Sequence, residues 1–506
     1  KRAFMKKEKQ PNALHGQEAS AEKKGKQKSV YQTKRSERIS FGVYGVGMTI
    51  FFVLIGSFLQ QYYLVEAGVP AGVIAAVFLV VKIWDAVNDP MFGVIVDKSR
   101  LKKGKYLPWM RIASVFLPVM ATLLFFVPLN VSVGVKAAFL LIGYMFYDVA
   151  STMTEVPYFA LTTAMTDNPT ERSQIISTGK IVSTLPAFIV LFIPTLYQRI
   201  GWKPTVAIFS LIALLTMLPG SFILKERYAT QSEHPPKVKE LLQYVGKNKF
   251  LLIFFSAAIV YGLTNTTGTV GNLFAIYNLG GDNMITPILL ISFIPGLLSI
   301  LIIKGLLDRM DKLHILILSN VVTLLASIAM YFTGYANFLV FAIFNAIRGF
   351  SAGANTMMYF LFTPDFAEYG KYTTGMNAEG AAFSIQSFSS KVIGALSSSA
   401  ALLMLGLFGF ISGSDAQTDL AKTGLWLLYS VIPAVGAVLQ IVLLGLFYKL
   451  RDKDVFIMSQ ANHGEISIDE AEKQLAGRFI AYHSSTIETE ERSEEHTSEL
   501  QSHSFI

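Results

Sequence analysis

Twelve stretches of about 20 largely apolar residues, each long enough to cross the hydrocarbon core of a bilayer as a helix, constrain this chain more than any other feature. They run roughly 41–64, 72–97, 109–128, 135–163, 175–198, 203–224, 250–277, 285–303, 314–333, 337–363, 377–411 and 423–448. Gly and Pro are scattered through them, and most lack the polar stripe at 3.6-residue spacing that a soluble core helix shows. Composition points the same way: 52% of residues are hydrophobic and only 15% charged, with a mean hydropathy of +0.47, where a soluble protein carries about 25% charge. The expectation is an all-α membrane protein rather than the several soluble domains that 506 residues would otherwise suggest.

The formal charge of +8 is distributed as a topology signal, not as a nucleic-acid surface. Lys23, Lys24, Lys26, Lys28, Lys34, Arg35 and Arg38 crowd the polar N-terminal tail. Loop 97–108 carries Lys98, Arg100, Lys102, Lys103 and Lys105; loop 225–249 carries Lys225, Arg227, Lys237, Lys239, Lys247 and Lys249; loop 304–312 carries Lys304, Arg309 and Lys312. Loops 65–71, 129–134, 278–284 and 334–336 carry none. Basic loops stay in the cytoplasm, so both termini are expected there and the protein in the cell membrane. Residues 1–38 are polar and hold no apolar signal-peptide core, so the first span is expected to act as an uncleaved insertion signal. Without cysteine, neither a disulfide framework nor a thiolate metal site is available. His15, His234, His314, His463, His483, His496 and His503 lie in tails, loops or at the edge of a span, which argues against a membrane enzyme or a metal site beyond Na⁺.

The longest internal polar stretch, 225–249, contains Pro235-Pro236 and divides the chain into units 39–224 and 250–448, flanked by tails 1–38 and 449–491. In the second tail, EISIDEAEKQLAGRF (465–479) patterns as a short amphipathic helix. The run RSEEHTSELQS from Arg492 reads as a translated sequencing adapter, so 492–506 are expected to be an artefact. Gly93-Val-Ile-Val-Asp97-Lys98 after the second span is echoed by Gly305-Leu-Leu-Asp308-Arg309 after the eighth. Two pseudo-symmetric six-helix bundles with the site between them near the midplane is the layout of the major facilitator superfamily. Asp97, Lys98, Asp308 and Arg309 are then candidate gating residues, or plain salt bridges that staple helix ends.

Ionisable groups inside the spans each need a reason, because one at mid-membrane costs about 2.5–3.5 kcal/mol on insertion scales. The second span reads Lys82-Ile-Trp-Asp85-Ala-Val-Asn88-Asp89-Pro90. Asp85 and Asp89 are four apart and share one helix face, with Asn88 beside them and Lys82 three residues before Asp85. Two carboxylates this close call for a cation, and a hard ion such as Na⁺ takes the oxygen ligands that carboxylates and amides supply; a proton on one carboxylate serves equally. The alternative is a structural charge network with Lys82. Glu155 in the fourth span is a second buried acid, with Pro157 close by and Phe159 one turn on, an acid-plus-ring pairing suited to sugars. The alternative is a helix–helix polar contact. Lys180 in the fifth span can pair with Glu155, and Lys391 follows Gln386-Ser387 in the eleventh; either lysine can instead snorkel. Asp148 and the Asp365/Glu368 pair lie nearer span ends, where a solvated or gating role and a binding role are equally open.

The block KIWDAVNDPMFGVIVDKSR followed by GKYLPW resembles the second-span signature of the glycoside–pentoside–hexuronide:cation symporters, the family that contains melibiose permease. The resemblance continues through EVPYFALTTAMTDNPTERSQ and DFAEYGKYTTGMNAEGAAFSIQSFSSK and covers nearly all of 38–480. It implies a cation site at Asp85 and Asp89 with Asn88 and Thr152, and a sugar-binding acid at Glu155. It also implies a basic fifth-span residue at Lys180 and a polar set at Gln386, Ser387 and Lys391. Two positions depart from the pattern: Thr49 stands where many members have a first-span acid, and Phe159 stands where melibiose permease has Trp. Loss of the acid weakens bidentate clamping of a neutral galactoside, while Lys180 and Lys391 suit a hexuronide or glucuronide.

The function expected is a secondary active transporter, not an enzyme, that imports a sugar or glycoside by symport with Na⁺ or H⁺ through alternating access. No cofactor and no nucleic acid is expected, and the protein is expected to be a monomer in the lipid bilayer. A sodium-coupled lysolipid or amphiphile carrier of the same fold is the alternative, and a non-transporting membrane sensor the second.

Overall fold

The structure, a computed structural model, describes residues 32–99, 104–166, 169–184, 188, 191–228, 245–375 and 379–482. The N-terminal half contains α1 (Arg35–Leu54), continued by a π-helical turn over Ile55–Leu59 and by α2 (Gln60–Val65). It goes on through α3 (Ala71–Lys98), α4 (Leu107–Leu124), α5 (Val133–Met165), α6 (Pro169–Thr184), α7 (Ile193–Ile200) and α8 (Trp202–Ile223). The C-terminal half contains α9 (Lys249–Thr264), α10 (Thr267–Asn278), α11 (Ile285–Leu307), α12 (Lys312–Thr333), α13 (Phe338–Leu361), α14 (Thr363–Thr374), α15 (Glu379–Leu407) and α16 (Asp419–Phe447). Two short helices, α17 (Asp452–Asn462) and α18 (Ile468–Gln474), follow.

Among the described residues eleven helical stretches are long and apolar enough to cross a membrane. Of the fifth stretch read from the sequence, residues 185–187, 189 and 190 lie outside the described residues, and the described parts are helical in α6 and α7. The seventh is divided at Asn265-Thr266, where Thr266 Oγ1 donates to the Leu428 carbonyl of α16. The expected amphipathic segment 465–479 is helical over the shorter α18 only.

Helices of each half pack on one another, and across the halves α3 lies along α15. With no water to drive helices together inside a bilayer, close approach of small residues does part of the work. Gly349 and Gly353 of α13 press on Ser292 and Gly296 of α11 so closely that a Cβ at either would strike backbone atoms.

The faces of the bundle differ. On the face that carries both described chain ends, here the termini face, Arg227 holds Glu37 at 2.6 Å and Lys312 holds Asp365 at 2.5 Å. Glu226 caps the start of α4 by accepting from the backbone N–H of Lys105, Tyr106 and Leu107 at 2.7–2.8 Å. Glu171 accepts from Gln32 and Thr33 backbone and from the Thr33 and Thr166 hydroxyls. Burial pushes the Glu171 carboxyl up, but these bonds outweigh it and hold it below the usual carboxylate range. The anchor is therefore complete above the ordinary glutamate range and is lost as pH falls through that depressed value. One apolar core joins both halves towards the opposite, distal face, through Phe58, Leu64, Leu273, Phe274, Leu405 and Phe410. A second core, built from 250–481, stays within the C-terminal half at the termini face.

Candidate functional site

Asp85 sits at the middle of α3, about 20 Å from either end at 1.5 Å per residue, with Asn88 and Asp89 one turn further on. Their packing partners complete the group: α5 brings Asp148 and Thr152, and α15 brings Lys391 from the other half. Lys391 Nζ lies 3.2 Å from Asp85 Oδ1 and is ion-paired with Asp89 Oδ2. Lys82 Nζ reaches Asp85 Oδ2 at 3.4 Å. Asn88 Nδ2 donates to Thr152 Oγ1 at 2.8 Å and to Asp148 Oδ2 at 3.4 Å, and Thr152 Oγ1 donates to Asp89 Oδ1 at 2.8 Å. Asp85, Asn88, Asp148 and Thr152 are buried, whereas Asp89 and Lys391 are about 30% exposed.

Charge accounting explains what this arrangement can bind. Three carboxylates (Asp85, Asp89, Asp148) face two ammonium groups (Lys82, Lys391), an excess of one negative charge. Asp148 is within hydrogen-bond reach of Asp85, and two carboxyl groups at that spacing need a shared proton or a cation between them. One monovalent cation, or one proton, makes the cluster neutral, and neutrality is what a low-dielectric site demands. The Asn88 amide nitrogen is committed to Thr152 and Asp148, so its carbonyl oxygen is the atom available to a hard cation.

The structure thus brings together Asp85, Asn88, Asp89, Thr152 and Lys391 from the sequence reading. Two of its placements go beyond the sequence reading. Asp148, for which a solvated or gating role and a binding role were both open, is 6% exposed and sits beside Asn88. The signal was available: Asp148 precedes Thr152 by four residues and shares its helix face. Lys391, read with the sugar-facing set, ion-pairs with the carboxylates of the opposite half. Lys180 and Ser387 have side chains outside the described residues.

Around this cluster Glu155, expected to be buried, is exposed, and its charge reaches Lys391. Phe159, one turn on, is 48% exposed as well. Thr49 is half-buried on α1. Gln386 is buried, and its Nε2 has no hydrogen-bond partner among the described residues.

The candidate gating pairs fare differently. Asp97 and Lys98 have side chains outside the described residues. Asp308 and Arg309 are exposed beyond the end of α11, and no ion pair joins them among the described residues. Asp365 and Glu368 brace the tail region instead: Asp365 holds Lys312, which also reaches Asp452 at 3.5 Å, and Glu368 accepts from Asn462 Nδ2 at 2.8 Å.

Sequence reasoning passed over Arg348. It is 7% exposed in α13 and donates at 2.6 Å both to the Tyr429 carbonyl and to Thr267 Oγ1 at the start of α10. Pro433, four residues after Tyr429, lacks the N–H that would otherwise bond that carbonyl, so the arginine satisfies what the proline leaves open. A single Arg in an apolar segment marked it as anomalous, but the partner was invisible without the fold.

Comparison with known proteins identifies relatives of this chain. A family described as MFS/sugar transport protein matches residues 40–452. The chain is 27% identical over 433 residues to an uncharacterised symporter, YnaJ, of Bacillus subtilis, covering 82% of this chain and 92% of that one. It is 23% identical over 425 residues to a glucuronide carrier protein homolog of Escherichia coli, covering 82% and 92%. Among solved structures, the nucleoside transporter NupG aligns with a TM-score of 0.59 at 16% identity, covering 82% of this chain and 100% of NupG, a likeness of fold alone.

Proposed function

This chain belongs to the MFS/sugar transport protein family, and on that premise we propose that it imports an anionic sugar or glycoside, of the hexuronide or glucuronide kind, together with Na⁺ or H⁺. Transport by symport is the family's business; the solute class and the ion are this proposal's own content.

The observation that carries it is the cluster of Asp85, Asp89 and Asp148 with Lys82 and Lys391 at mid-bilayer. The excess of one negative charge defines a monovalent cation site. Lys391 comes from the opposite half and rests on the oxygens that a cation would use, so cation entry competes with the lysine for Asp85 and Asp89. A displaced lysine is then free to meet an anionic solute. Binding of ion and of acid sugar thereby favour one another, which is the coupling a symporter requires. On the solute side, Glu155 and Phe159 offer an exposed acid and an exposed apolar ring one turn apart. Gln386 adds a buried donor, which a solute hydroxyl would satisfy. Lys180, Ser387 and Thr49 complete the proposed solute set. The protein is placed in the cell membrane with both termini cytoplasmic, and the two halves rock around the site to expose it to each side in turn.

Uptake of labelled glucuronides and neutral glycosides into vesicles, with and without an imposed Na⁺ or proton gradient, tests this. Asp85→Asn and Asp89→Asn each abolish uphill accumulation while leaving the protein folded. Uphill uptake equal to the parent in both variants refutes the cation site, and equal uptake of neutral and uronic glycosides refutes the solute class.

A further inference from the structure

Beside the apolar core that joins the halves at the distal face lies a small and specific set of backbone and polar contacts. Gly413 N, in the loop after α15, donates to the Leu64 carbonyl at 2.8 Å across the halves. A Cβ on Gly413 would lie 3.0 Å from Cα of Gly68. Both glycines have left-handed φ, +65° at Gly68 and +73° at Gly413, which a side chain disfavours even apart from the contact. Beside them runs a polar chain that crosses between halves twice. Asn272 of α10 donates to the Ser57 carbonyl at 2.8 Å and to Gln61 Oε1 at 2.9 Å. Gln61 Nε2 donates to the Tyr197 hydroxyl at 2.9 Å, and Tyr197 bonds to the Asp282 carboxylate of the C-terminal half. Trp202 stacks on the Tyr197 ring at 3.9 Å and fixes its direction. Thr286 Oγ1 adds a bond to the Leu191 carbonyl at 3.0 Å.

We infer that the Leu64–Gly413 bond, the Gly68–Gly413 approach and the Asn272–Gln61–Tyr197–Asp282 chain form the latch that closes the distal face, and that its release is the step that admits solute from that side. The inference rests on the transport reading, and its physical basis is the kind of contact involved. Each hydrogen bond is individually weak in net terms, and water replaces it when the loops part, so such a seam can open and reclose. The two glycines let backbones meet without a side chain between them, which makes closure tight without burying more apolar surface. The gating residues named from the sequence all lie on the termini face, and none belongs to this seam.

The chain has no cysteine, so Ser57→Cys places a single thiol under the latch, at the residue whose carbonyl Asn272 touches. Labelling of full-length protein in membrane vesicles by a membrane-impermeant maleimide applied at the distal face reports latch opening, with no solute present. Gly413→Ala inserts a methyl group into the Gly68 contact, and Asn272→Ala removes two cross-half bonds without adding atoms. Each is expected to raise the labelling rate about tenfold or less, as a two-state equilibrium shifted by one or two weak contacts would. Gly409→Ala is the control: its φ of +72° brings the same backbone strain, but nothing lies within 4 Å of its Cβ, so labelling stays at the parent rate. No rise in Gly413→Ala and Asn272→Ala, or an equal rise in Gly409→Ala, overturns the latch. If Gly413→Ala does not fold, Asn272→Ala decides alone. The assay contains no solute and no ion gradient, so its failure leaves the symport reading standing, and failed sugar uptake leaves the latch standing.

Discussion

Two carboxylates one turn apart in a membrane helix repel each other unless a positive charge stands between them, and here the protein supplies part of that charge itself through Lys82 and Lys391. With Asp148 as a third carboxylate, the two lysines leave one negative charge unmatched, and that is the feature that a coupling ion would fill. Thr152 organises the group by accepting from Asn88 and donating to Asp89, each at 2.8 Å. Thr152→Ala is therefore expected to weaken apparent cation affinity by about 10- to 100-fold, the usual effect of removing a partner that orients ligands. The measurement is the cation concentration giving half-maximal uptake; an unchanged value would remove Thr152 from the site. At this scale the sequence showed Asp85, Asn88 and Asp89 together, because four-residue spacing alone puts them on one face. It did not place Lys391, some three hundred positions away, because only packing of α3 on α15 joins them.

Helix by helix, hydrophobic length located the spans well, since a bilayer sets that length. It was least informative about interruptions such as the one between α9 and α10. Those interruptions depend on partners elsewhere: Thr266 bonds the Leu428 carbonyl, and Arg348 bonds Tyr429 and Thr267. Glycine content likewise marked nothing by itself, for the same residue is tightly wedged in one helix and open in another. Gly353→Ala drives a methyl into the Gly296 backbone and is expected to cost about 1–3 kcal/mol through overpacking. Gly305→Ala meets nothing within 4 Å and should be neutral or stabilising by up to about 1 kcal/mol, the helix-propensity gain. Thermal unfolding in detergent compares the two, and an equal shift in both would contradict the close approach of α11 and α13.

At the level of the whole molecule, the distal core binds the two halves while the termini-face core belongs to the C-terminal half and its tail. Phe479, 5% exposed, packs its ring on Phe250 and Tyr369 at 5.9 and 6.1 Å, so the segment after α18 is part of that core. Phe479→Ala should cost about 3–5 kcal/mol, the range for a buried aromatic, seen as a lower melting temperature. A melting temperature equal to the parent would show the tail to be loosely attached. By itself the sequence determined that this chain crosses a membrane many times, that two carboxylates share one helix face within it, and which family it resembles. Apolar length, charge placement and residue spacing along one helix are local quantities, and each is written directly in the order of residues. The tertiary structure alone decided that Lys391 of the other half joins the carboxylate cluster and that the halves close on each other at Gly68 and Gly413. Those are distances between residues far apart in the chain, fixed by how helices pack, and no local pattern encodes them.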